Sequence, residues 1–153
     1  MDATQWVGMI TFGVASIVCL WIRQWPWNFI GGLNMAMAIE CGIGMRHGAH
    51  NFAIELMGPF YRNRVGLQIG LISIVATIVV FTILLLLNRS YGRAPATVIA
   101  ATGFALALFS VETISLHAFD SFLYQKAGSL LVIGWIWMAL ALVTAIEALR
   151  KGV

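Results

Sequence analysis

The stretch VGLQIGLISIVATIVVFTILLLLN, Val65 to Asn88, contains no charged residue, and Arg62, Arg64 and Arg89 bracket it. A helix needs about 20 apolar residues to cross a bilayer's hydrocarbon core, and this stretch supplies them. Its Ile, Val and Leu content favours strands, but an open strand in lipid would leave its backbone groups unpaired. The stretch therefore reads as a membrane-spanning helix.

The rest of the chain has the same character. It is 61% hydrophobic and only 10% charged over 153 residues. Ordinary soluble domains are about 25% charged. A soluble core of this size could not hide so much apolar surface. The expected class is an all-α integral membrane bundle, a single transmembrane domain over residues 1–153.

Five spans follow, with four as the fallback. The first runs from about Trp6 to Ile22. Arg23 to Asn28 reads as a turn, with Pro26 stopping helix continuation and Trp21, Trp25 and Trp27 suited to an interfacial belt. The second runs from Asn28 to Gly58, where Gly58-Pro59 ends it; at 1.5 Å per residue that is roughly 45 Å, longer than the membrane. The third is Val65 to Asn88. The fourth runs from Ala94 to Tyr124, with Pro95 suited to its start, and Gln125 to Gly128 breaks it. The fifth runs from Ser129 to Ala148, with Glu147 and Arg150 placed to pair at i,i+3.

The net charge of +3 comes from Lys and Arg at helix ends. That pattern marks topology and anionic headgroups, not nucleic acid. One side would hold Arg23, Arg89, Arg93, Arg150 and Lys151; the other Arg62, Arg64 and Lys126. The count predicts a cytoplasmic C-terminus in an inner or plasma membrane. Asp2 and the lack of a basic n-region make the first segment a retained helix rather than a cleaved leader. Cys19 and Cys41 fall in apolar segments and read as buried thiols, not a disulfide framework. The glycines at 31, 32, 42, 44 and 48 read as small residues that let helices approach closely.

Two spans carry nearly all the chemistry. The second holds Glu40, Arg46, His47, His50 and, beyond it, Glu55. The fourth holds Glu112, His117 and Asp120. Together they contain all three histidines and four of the six carboxylates. Ionisable side chains inside a membrane cost roughly 2.5–3.5 kcal/mol each, so they need partners. His47-x-x-His50-Asn51-Phe52 and His117-x-x-Asp120-Ser121-Phe122 share a form. Their spans are separated by one other and should run in the same direction, as in a parallel repeat of helices 2–3 and 4–5. On continuous helices Glu40, His47 and His50 fall within an arc of about 80°, and Glu112, His117 and Asp120 within about 140°.

The expected site therefore lies between helices two and four near the outer face. His47, His50, His117 and Asp120 would be ligands. Glu40, Glu112, Arg46 and Glu55 would support them or handle protons. Imidazoles plus a carboxylate suit Zn, Fe, Mn or Cu(II). A haem b held by one imidazole from each helix is a second option. A quinone or proton relay built on a His–carboxylate pair is a third. The expected function is a small membrane redox or metal-binding protein, an oxidoreductase or part of one. One competing function is a noncatalytic or assembly subunit of a larger complex; another is a small transporter. Against all of these stands a plain structural role, in which each His bonds a nearby carboxylate or headgroup. The expected partners are the lipid bilayer and further copies or other membrane subunits.

Overall fold

The computed structural model describes residues 2–44, 74, 76–85, 89, 94–114 and 121–152. These are mostly helical. In chain order the helices are α1 (Ala3–Trp21), α2 (Trp25–Ile43), α3 (Ala76–Leu85), α4 (Ala96–Ile114) and α5 (Val132–Gly152). Helical residues at 121–123 and a two-residue strand pair, β1 (Lys126–Ala127) with β2 (Leu130–Leu131), precede α5. By length and apolarity α1 and α5 are each able to cross a membrane.

Asp2 starts α1. Its carboxylate accepts from the Gln5 N–H at 2.8 Å, and the Gln5 side chain accepts from the Asp2 N–H at 3.0 Å. This reciprocal box satisfies two of the donors that every helix start leaves over. At its far end α1 stops after Trp21, and Arg23 takes φ +54. Only Ile22 to Gln24 separate α1 from α2.

That connection corrects the predicted turn over residues 23–28. Pro26 lies in the first turn of α2, where its missing N–H costs nothing and its fixed φ suits the helix. It opens the helix rather than blocking it. The predicted extent of the second helix is corrected too. α2 ends at Ile43, and Gly44 caps it in the left-handed region (φ 65, ψ 38), its N–H donating to the Glu40 carbonyl at 2.8 Å. Glycine enters that region without the steric cost other residues meet, so it ends helices. The predicted continuous helix from Asn28 is thus interrupted at Gly44, and its remainder, residues 45–58, lies outside the described residues.

α1 packs along α2 and α5, and α5 also packs on α4. The Leu131 N–H donates to Thr4 Oγ1 at 3.1 Å, so α1 and α5 start at the same end. α2 returns antiparallel to α1 through its three-residue link. The α4 residues Val98 and Ile99 cluster with Ala148 near the end of α5 and with Cys19 of α1. Hence α2 and α4 run together, opposite to α1 and α5. Arg23, Arg150 and Lys151 gather at one end; Asp2 and Lys126 lie at the other.

The core has two apolar clusters. One holds Phe12, Met37, Ala38, Cys41, Ala105, Phe109, Trp137 and Ala141. Its rings form a run: Phe109 stacks on Trp137 at 5.2 Å and 7°, and Phe12 meets Phe109 at 5.8 Å and 60°. The other holds Cys19, Trp27, Ile30, Leu84, Val98, Ile99 and Ala148. Cys19 and Cys41 are thus buried in separate clusters. Close approach at the first cluster depends on Gly8, where a Cβ would lie 2.7 Å from Cys41 Sγ and 2.8 Å from the Trp137 ring. α3 lies against α4, with the Phe81 ring over Gly103 and a Thr77–Ser110 hydroxyl hydrogen bond. Large apolar side chains also cover the outside, among them Ile10, Ile17, Trp21, Ile78, Phe104 and Leu149.

Candidate functional site

Of the eight predicted site residues, Glu40 and Glu112 are in the described part. Arg46, His47, His50, Glu55, His117 and Asp120 lie outside it. Glu40 sits in the last turn of α2 and is half-buried. Glu112 sits near the described end of α4 and is only 8% exposed. Because α2 and α4 run in the same direction, both acids stand at the same end of the bundle. The chain enters the two histidine-bearing stretches from that end, after Gly44 and after Ile114.

Glu40, one turn before the Gly44 cap, faces the negative end of the helix dipole, a cost of about 0.3–1 kcal/mol. Burial adds to it. Glu112 is answered by a donor: Tyr124 Oη donates to Glu112 Oε1 at 3.1 Å. Tyr124 comes just before the strand pair, and this bond ties that segment to α4.

Tyr124 is a site residue that helical periodicity does not reveal. A partner twelve positions along is about 120° around a continuous helix. Replacing Tyr124 by Phe should cost about 1 kcal/mol, the ordinary net worth of one hydrogen bond. Thermal unfolding in lipid nanodiscs measures it. The same loss in a Glu112→Leu background, which has no acceptor, would show that the phenol does not act through the carboxyl.

Gly44 also changes the geometry expected around Glu40. The predicted alignment of Glu40 with His47 and His50 assumed one continuous helix. The left-handed cap breaks that register, and it puts Glu40 at a helix end rather than two turns inside a longer one. The small-residue reading of α2 holds at Gly31, where a Cβ would meet Leu20 at 2.8 Å and the Ser16 carbonyl at 3.2 Å. Glu147 and Arg150 pair at 2.8 Å on the outside of α5, an exposed contact worth little to stability. Among the described residues no three His, Cys, Asp or Glu side chains come together as a metal site. No protein-family model, curated protein or solved structure matches this chain.

Proposed function

We propose that the chain is a small integral membrane protein whose helical bundle carries a His/carboxylate site between α2 and α4. His47, His50, His117 and Asp120 are its ligands for a transition metal or haem, used in redox or proton chemistry. Glu112 and Glu40 sit beside the site as supporting acids. The membrane part of the reading is supported by α1 and α5, each long and apolar enough to span, and by the apolar exterior. The Arg23, Arg150 and Lys151 end is then cytoplasmic and the site faces the other side.

One observation carries the site. Glu112 is a buried carboxyl held by Tyr124 at the end of the bundle from which both histidine stretches depart. An acid kept buried there, with imidazoles following in sequence, is the environment in which protons and metals are handled. The test is metal analysis and an absorption spectrum of the detergent-purified protein. A Soret band, or stoichiometric Zn, Fe, Mn or Cu, is the expected result. A colourless, metal-free protein that copurifies with a larger membrane complex overturns it in favour of an accessory subunit.

A further inference from the structure

The two apolar clusters are separated by a layer of small polar residues, one from each of four helices. Ser16, Asn34, Thr102 and Thr144 are 0%, 1%, 2% and 1% exposed. Each lies about one turn from a member of each cluster on its own helix. Ser16 lies between Phe12 and Cys19, and Asn34 between Ile30 and Ala38. Thr102 lies between Val98 and Ala105, and Thr144 between Ala141 and Ala148. Helix periodicity puts residues at i±3 and i±4 on one face. All four side chains therefore point into the same level of the bundle.

Their hydrogen bonds divide them. Four hydroxyls on these helices bond back to the carbonyl four residues earlier: Thr11 to Val7, Thr82 to Ile78, Ser110 to Leu106 and Thr144 to Leu140. Asn34 does the same through Nδ2 to the Ile30 carbonyl at 2.8 Å. Ser16 Oγ and Thr102 Oγ1 do not. Both are fully buried with no protein hydrogen-bond partner among the described residues. An orphaned buried hydroxyl is costly, and two at one level call for a shared partner.

We infer that this layer binds ordered water that bridges Ser16 Oγ and Thr102 Oγ1 between α1 and α4. Each hydroxyl can donate once and accept twice, and the oxygen of Thr144 keeps acceptor capacity after bonding Leu140. That supplies the two to four polar partners a buried water requires. All four side chains in the layer are neutral, which favours water over a cation. The inference holds with or without the metal or haem reading, because none of the four residues belongs to the proposed site.

The experiment compares Thr102→Val, Ser16→Ala and the double variant by thermal unfolding of the full chain in nanodiscs. Valine matches threonine in shape, so the sign of the change decides. With bridging water, each single variant lowers Tm by about 2–4 °C. The double variant falls by less than their sum, because the first substitution already releases the water. A rise in Tm for Thr102→Val, no change, or strict additivity overturns the proposal. Where a variant does not fold, a high-resolution map of the unaltered protein decides. Density within hydrogen-bonding distance of both hydroxyls supports bound water, and its absence there overturns it.

Discussion

His117→Ala is expected to strip the proposed metal or haem from the purified protein while leaving the bundle folded. His117 is the informative position because the fourth predicted span offers no other imidazole, whereas His47 and His50 can substitute for one another. A ligand makes a direct bond to the metal, so its loss should weaken binding by orders of magnitude. Residues that only orient ligands cost about 10–100-fold, and Glu112→Gln should fall in that smaller range. Metal ligation needs neutral imidazole, so protons compete with the metal. Binding should be complete at neutral pH and weaken as pH falls through the ordinary imidazole range, about 6.5. The measurement is bound metal or haem per protein, unaltered chain against His117→Ala. Equal occupancy in both would remove His117 from the site.

How much of this architecture is legible in the sequence depends on the distance over which each signal acts. The apolar runs are local, so α4 falls inside its predicted segment, while α1 starts three residues before its predicted Trp6 and α5 runs four residues past its predicted Ala148. Chain punctuation is also local, but it needs the right sense. Pro26 reads as a breaker until its neighbours place it in a helix's first turn, where the ring's fixed φ is an advantage. Gly44 was read for packing among five glycines on one segment. Its role as a left-handed cap is set by the chain direction after Ile43, and no side-chain pattern encodes that.

The candidate site is legible only in part, for a similar reason. Glu40 and Glu112 were singled out as acids on helices of the same sense, and the fold places both at one end. Tyr124 was not singled out, because it lies twelve positions from Glu112, outside the i±3 and i±4 relations that helical periodicity reveals. The polar layer was invisible for a stronger reason. Ser16, Asn34, Thr102 and Thr144 are ordinary small residues at unrelated spacings, and only the register of four packed helices brings them to one level. A charged residue in an apolar run stands out in sequence; a hydroxyl without a partner is visible only in three dimensions.

Trp137→Ala should be the most destabilising single substitution in the apolar core. Trp137 is 2% exposed, stacks on Phe109 and fills the space beside Gly8, so it joins α5 to both α4 and α1. Truncating a buried tryptophan costs about 3–5 kcal/mol, partly as lost transfer energy and partly as cavity. In a bilayer the transfer part shrinks, because lipid is as apolar as the core and packing provides most of the attraction between helices. The lost contacts with Phe109 and with the Gly8 backbone are still forfeited. The cost should therefore lie near the lower bound, about 3 kcal/mol, or a fall in Tm of roughly 6–12 °C. Trp21, at 81% exposure, is the control, and Trp21→Ala should stay within about 0.5 kcal/mol. Trp137→Phe keeps an aromatic ring against Phe109 and should recover much of the loss. If Trp21→Ala lowers Tm as far as Trp137→Ala does, the ring stack is not what holds α1, α4 and α5 together.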